Sequence, residues 1–277
     1  FYSVPHIPAP GETLAADALT TGLGGKGANQ SVAAAKAGVR VVHIGAVGPG
    51  SGWILDRLRA FGVETDHIAE LDVPTGHAII NVAADGENAI VILPGANACQ
   101  SGDRIRTALA DAQAGDLFLL QNETTLQAEA AEMASGKGLR VLYSAAPFDP
   151  AAVKAVLPYI DTLLLNEIEA RQLEKTLDQS LFSLSVPHVV ITLGSRGARW
   201  IDNGTGGVHE VAAERVTAVD TTGAGDTLAG YLAAALQEGQ SAQEAMGLAG
   251  RAAALKVTRK GTADAIPTRA EVEAFRT

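Results

Sequence analysis

Ala218-Val219-Asp220-Thr221-Thr222-Gly223-Ala224-Gly225-Asp226-Thr227-Leu228-Ala229-Gly230 is the stretch on which the reading of this chain turns. It leaves an extended segment, passes through small residues and enters a proline-free run rich in Ala and Leu. That run predicts a helix over Thr227 to Leu236. Glycine lets the backbone bend sharply and lets a ligand approach the amides. The first amides of a helix lack carbonyl partners and its dipole favours an anion there, so the turn predicts a phosphate seat. Asp226 stands at the mouth of that seat, where a phosphate would repel it. Two explanations stay open: Asp226 caps the helix, or it is there to take a proton. The pattern is not a dinucleotide-binding fingerprint, because Leu228 stands where a third glycine or alanine belongs.

A second glycine turn, Gly24-Gly25-Lys26-Gly27-Ala28-Asn29-Gln30, precedes an Ala-rich run from Ser31 that stops at Gly38, so a second helix is expected there. Gly27 follows the lysine where a Walker loop has Ser or Thr. Lys26 and Asn29 bring a cation and an amide to exposed backbone, which suits a ligand rich in hydroxyls. A tight turn without a ligand is the other reading.

Further along, apolar runs alternate with helical spacing. Helices are expected over Trp53–Phe61, Asp103–Ala112, Thr125–Ala134, Ala151–Leu157, Glu167–Glu174 and Ala242–Val257. Strands are expected over Val39–Val47, Asp116–Leu120, Leu139–Tyr143, Asp161–Leu165 and His188–Leu193. Apolar strands between helices predict an α/β fold with a mostly parallel sheet covered by helices on both faces. His77–Ala83 and Asn88–Leu93 flank Ala84-Asp85-Gly86-Glu87 and break the alternation as a hairpin. With the proline-rich residues 1–23, this hairpin is expected to form a small β-sheet lid. The expected division is a lid from 1–23 and 75–95 and an α/β core from 24–74 and 96–277.

In such sheets ligands lie beyond the carboxyl ends of the strands. Gln121-Asn122-Glu123, Ser144 to Pro147, Asn166 to Glu169 and Thr192 to Gly197 fall there. Glu123 could accept from a sugar hydroxyl or simply face solvent. Asn166 and Glu169 have the spacing of a capping box, and equally of a nucleotide contact with a hydrated Mg²⁺ nearby. Thr192-Leu193-Gly194-Ser195-Arg196-Gly197 reads as a hairpin turn or a nucleotide contact. Arg259 and Lys260 follow a long helix, as dipole partners or beside carbonyls that face a monovalent cation.

The chain has 277 residues, 47% of them hydrophobic, which suffices for a large core. With 21 basic and 31 acidic residues the net charge is -10, which argues against a nucleic-acid partner. Cys99 is the single cysteine, so no intramolecular disulfide forms and a reducing compartment, the cytoplasm, is expected. The six histidines are scattered without metal-ligand spacing, and no apolar run reaches the length of a membrane span.

GGKGANQ (Gly24–Gln30), NxxE (Asn166–Glu169), TLGSRG (Thr192–Gly197), DTTGAGD (Asp220–Asp226) and TRKG (Thr258–Gly261), in this order, resemble the motifs of the ribokinase-like, or PfkB, carbohydrate kinases. The resemblance covers essentially the whole chain, and GAN recurs at Gly95-Ala96-Asn97, as in the ribose-phosphorylating members. It implies transfer of the γ-phosphoryl group of ATP to a primary sugar hydroxyl, on C5 for ribose. A nucleoside, fructose or sugar acid is the alternative acceptor, and a non-catalytic sugar-binding regulator is the alternative class. By the same resemblance Asp226 is the catalytic base, and Gly223, Ala224 and Gly225 form the anion hole. Gly25, Lys26, Gly27, Ala28, Asn29 and Glu123 contact the sugar. Asn166 and Thr192, Leu193, Gly194, Ser195, Arg196 and Gly197 contact the nucleotide, and Glu169 meets Mg²⁺ through water. Asp220 and the backbone carbonyls of Thr222, Lys256, Arg259 and Gly261 hold a potassium ion. Ala265 stands where the family often has a serine near that ion. The lid is expected to form the contact of a homodimer. The family also opens with a strand carrying Asn-x-Asp; that pair is expected before Phe1, since a sheet without the strand would show an edge or a hole. The segments at Gly48–Gly52 and Glu174–Pro187 look shorter than the family pattern.

Overall fold

Runs of Leu, Val and Ile about five residues long build the centre of the molecule. The computed structural model describes residues 1–275. In chain order the elements are β1 (Tyr2–Val4), β2 (Ala18–Leu19), α1 (Lys26–Lys36), β3 (Val41–Val42), β4 (Gly45–Val47), α2 (Gly52–Ala60), β5 (Val63–Glu64), β6 (Ile68–Glu70), β7 (His77–Ala83), β8 (Asn88–Leu93) and α3 (Gly102–Ala108). There follow β9 (Leu117–Gln121), α4 (Gln127–Gly136), β10 (Arg140–Ser144), α5 (Pro150–Val156), β11 (Thr162–Asn166), α6 (Glu167–Leu177), β12 (His188–Thr192), β13 (Ala198–Asp202), β14 (Gly207–Val211), α7 (Ala224–Gln237), α8 (Ala242–Val257) and α9 (Arg269–Ala274).

The main sheet has the order β14-β13-β12-β11-β10-β9. β9 to β12 are parallel, and β13 and β14 add an antiparallel edge. Side chains alternate across a strand, and here the alternation fills two cores. Val141, Tyr143, Leu163, Leu165, Val189 and Ile191 pack with residues of α4, α5 and α6. Leu142, Leu164 and Val190 face the other way, onto α1, α7 and α8. Both faces are thus covered, and the carboxyl ends of β9 to β12 share one rim. Among the described residues no helix is long and apolar enough to cross a membrane.

The strand expected over Val39–Val47 is two short ones. β3 pairs with β5 and β4 with β6, both parallel and both apart from the main sheet. The break falls at His43, whose ring turns inward so that Nδ1 meets Ser31 Oγ at 2.8 Å. Between this segment and β9, the edge of the main sheet, lies a cavity of about 710 Å³ lined in part by Val41, His43, Leu119 and Gln121.

A separate four-stranded sheet has the order β2-β1-β7-β8. β7 and β8 form the expected hairpin, and β1 joins β7 in parallel, with Tyr2 opposite Asn81. Its residues Leu19, Ile79, Ile90, Val91, Ile92 and Leu93 are exposed. Val91 and Leu93 point to one face of the sheet and Ile90 and Ile92 to the other, so both faces carry exposed apolar surface.

Candidate active site

α1 and α7 lie side by side and run in the same direction, so their glycine turns meet. Gly25 (φ 91°) precedes α1 and Gly223 (φ 74°) precedes α7, both in backbone conformations that favour glycine. Gly230 permits the close approach: a Cβ there would lie 2.4 Å from the Gln30 carbonyl oxygen and 2.5 Å from Ala33 Cβ.

Asp226 lies in the first turn of α7 and is 8% exposed. It does not cap its helix. Its Oδ2 accepts from Asn29 Nδ2 at 2.9 Å and its Oδ1 from Gln30 Nε2 at 3.1 Å. Gln30 Oε1 in turn accepts from Gln121 Nε2 at 2.6 Å. A line of amides therefore runs from the end of β9 to the carboxylate and fixes its orientation. The amide of Ala224 turns back to Thr221 O at 3.2 Å, whereas no carbonyl among the described residues accepts from the amides of Gly225 and Asp226. Unpaired amides at a helix start attract an anion, so a buried carboxylate and an anion seat stand together.

Asn29, 4% exposed, has its Oδ1 buried without a hydrogen-bond partner. Such an acceptor costs about 1–3 kcal/mol unless a donor reaches it, and a ligand hydroxyl is such a donor. Glu123 Oε2 accepts from the Lys26 amide at 2.8 Å. Burial raises the Glu123 pKa, against the pull of the Lys26 amide and charge. Gly25 abuts the same oxygen, and Gly27 abuts the Gln121 and His43 side chains. Ala28 instead packs against the core.

Asp220 joins this region to the segment after α8. Its Oδ1 accepts from the Thr222 amide and its Oδ2 from the Gly261 amide, each at 2.9 Å. Burial opposes the charged carboxylate, but these amides and Lys256 outweigh it and hold the Asp220 pKa below the usual range. Thr262 Oγ1 donates to Leu23 O at 2.6 Å, tying that segment to the first glycine turn. The Arg259 guanidinium turns away to Glu271, at 2.8 Å.

Asn166 and Thr192 sit opposite one another on β11 and β12. Asn166 caps α6, with Oδ1 accepting from the Ile168 and Glu169 amides at 2.9 Å while Glu169 Oε2 accepts from the Asn166 amide at 2.7 Å. The capping box is thus real, and both side chains carry it. Thr192–Gly197 is a hairpin turn between β12 and β13; a Cβ on Gly197 would collide with Val211 O, and Arg196 pairs with Glu167 at 2.6 Å. Among the described residues no group of three or more His, Cys, Asp or Glu could hold a metal ion. Mg²⁺ keeps most of its waters and needs no such cage.

Sequence reasoning missed the tie from Gln121 through Gln30 to Asp226. A signal was present: Gln30 shares a helix face with Ala33, Ala34 and Ala37, and an amide within an apolar stripe needs a partner. It also missed His43, half-buried at the wall of the cavity, where desolvation of the ring pushes its pKa down to about 4, so that it is neutral at pH 7.

A family model described as pfkB family carbohydrate kinase matches residues 2–269. The chain is 37% identical to a ribokinase of Haemophilus influenzae over 288 residues, covering 99% of this chain and 93% of the relative. A ribokinase crystal structure from Thermotoga maritima is similar with a TM-score of 0.88 and 32% identity, covering 99% of this chain and 94% of the other. An Arabidopsis thaliana ribokinase structure complexed with ribose and ATP is similar with a TM-score of 0.85 and 28% identity, covering 99% and 93%. Family model, relatives and fold agree over nearly the whole length: the chain belongs to the pfkB family of carbohydrate kinases and is an ATP-dependent kinase of sugars.

Proposed function

We propose that the chain transfers the γ-phosphoryl group of ATP to the C5 hydroxyl of D-ribose, giving D-ribose 5-phosphate and ADP. The observation that carries the reading is Asp226, buried and aimed by two amides beside the unpaired amides at the start of α7. In this reading Asn29 and Glu123, with the turn Gly25, Lys26, Gly27 and Ala28, hold the sugar hydroxyls. Asp226 removes the proton from the acceptor hydroxyl, whose oxygen then attacks the terminal phosphorus. The turn Gly223, Ala224 and Gly225 meets the charge on the transferred group, so catalysis is positioning and electrostatics. Asn166 and Thr192, Leu193, Gly194, Ser195, Arg196 and Gly197 would hold the nucleotide, and Glu169 would be the carboxylate that a hydrated Mg²⁺, supplying charge neutralisation to the phosphates, meets through water. The potassium ion that the resemblance also implies would share its place with the Lys256 ammonium.

A substrate panel with MgATP tests the reading. Ribose is expected to exceed fructose, a nucleoside and a sugar acid in kcat/KM by at least about tenfold, the discrimination that a site built for a substrate's hydroxyls supplies. Absence of ribose phosphorylation while another acceptor turns over would retire ribose. Sugar binding with no turnover of any acceptor would favour the regulator.

The proposal includes a lid from residues 1–23 and 75–95 that covers the sugar on one face and meets a second copy on the other. Exposed apolar residues on both faces support it, because monomers rarely leave such patches bare. Light scattering is expected to give twice the chain mass; of Val91→Lys and Ile92→Lys, on opposite faces, the one on the dimer face is expected to return it to one and the other to leave it doubled. A monomeric mass for the unmodified protein would overturn the dimer. ATP supply, the lone cysteine and the acidic balance support work in the cytoplasm without a nucleic-acid partner; recovery of the protein in the membrane fraction of lysed cells would count against it.

A further inference from the structure

Lys256 lies in the last turn of α8, and its side chain is 0% exposed. A helix lysine ordinarily carries its charged end out to water. Here Nζ turns inward and donates to the backbone carbonyl of Asp220 at 3.1 Å. Burial lowers the Lys256 pKa, while the nearby carboxylates of Asp220 and Asp226 work to raise it. That hydrogen bond is to a backbone carbonyl, and the lysine's charge lies near enough to feel the carboxylates at both ends of the Asp220–Asp226 turn.

The resemblance sets a potassium ion among Asp220 and the carbonyls of Thr222, Lys256, Arg259 and Gly261. The donors present do not fit that ion well. Both Asp220 carboxylate oxygens already accept amides, from Thr222 and Gly261. The Lys256 carbonyl accepts from the Arg259 amide at 2.9 Å. Ala265, whose Cβ would lie 3.9 Å from a Cβ on Gly261, offers no side-chain oxygen where the family often has a serine. An ammonium already rests on Asp220, and a second cation beside it would be repelled.

We infer that the Lys256 ammonium supplies from within the chain the positive charge that the resemblance assigns to a potassium ion. Placed behind the start of α7, it offsets the Asp220 and Asp226 carboxylates and keeps the anion seat attractive to a phosphoryl group. The enzyme then works without a monovalent cation.

The inference rests on the kinase reading of the site, and two readouts keep them apart. In the unmodified full-length protein, exchanging potassium chloride for tetramethylammonium chloride at constant ionic strength is expected to change ribose turnover by less than about twofold. Its melting temperature is expected to stay the same in the two salts. In Lys256→Met, turnover in tetramethylammonium is expected to fall by about a hundredfold, the scale of a lost electrostatic contact, and potassium or ammonium to restore at least about tenfold. The variant's melting temperature is expected to rise with potassium, a response that a merely structural lysine would not produce. An unmodified protein whose turnover or melting temperature climbs with potassium would overturn the inference, as would a folded Lys256→Met that shows no cation response. If Lys256→Met does not fold, the two salt series on the unmodified protein decide. If no sugar is phosphorylated at all, the kinase reading fails while the melting series still reports on the lysine.

Discussion

Asp226→Asn is expected to lower kcat for sugar phosphorylation by about three orders of magnitude, within the range that a positioned general base contributes. The two carboxylate oxygens of Asp226 face two amide donors, Asn29 Nδ2 and Gln30 Nε2. An asparagine keeps one acceptor and presents an NH₂ group in place of the other. One neighbouring amide must then flip, and Asn29 can do so because its Oδ1 has no partner to lose. The stability cost is therefore held to about 1 kcal/mol, the worth of one hydrogen bond. Calorimetry should find MgATP affinity within about twofold of the unmodified protein, since the base acts only in the transition state. A variant that turns over within about tenfold of the unmodified rate would remove Asp226 from the role of base.

Gly230→Val is expected to disable the enzyme from a position that touches no substrate. A Cβ at residue 230 meets the Gln30 carbonyl and Ala33, so α1 and α7 must separate. Overpacking of this kind costs about 1–3 kcal/mol, which lowers the melting temperature by roughly 5 °C in a chain of this size. The larger effect is on rate. Gln30 and Asn29 aim Asp226, and displacing catalytic groups by about 1 Å can cost a hundredfold. Gly250→Ala in α8 is the contrasting substitution. A Cβ there meets nothing within 4 Å, so the helix gains about 0.5–1 kcal/mol and activity is kept. Scanning calorimetry and an ADP-coupled assay measure both, and full activity with an unchanged melting temperature in Gly230→Val would refute the account.

The alternation of apolar runs was legible because each buried strand is a block rich in Leu, Val and Ile, such as Leu163-Leu164-Leu165, between helices whose interiors lack proline. The hairpin at His77–Ala83 and Asn88–Leu93 was legible to the residue because Asp85-Gly86 marks its turn. Val39–Val47 misled because an apolar run does not say where an inward-turned histidine will bend it. The two glycine turns could be read as helix starts, but their meeting could not, because Gly230 and Gln30 lie far apart in sequence. Lys256 attracted notice through its carbonyl and the motif around it. A lysine in an alanine-rich helix gives no sign that its side chain turns inward.

Tyr2 faces Asn81, so the four-stranded sheet brings together two stretches that leave the ribosome at different times. β7 and β8 are neighbours in the chain and can zip as soon as both are made. Until then β1 has only the short β2 beside it, and the entropy of closing so long a loop makes its capture by β7 late. Residues 2–19 are therefore the last part of that sheet to settle, and during synthesis they are the part most open to a protease or a chaperone.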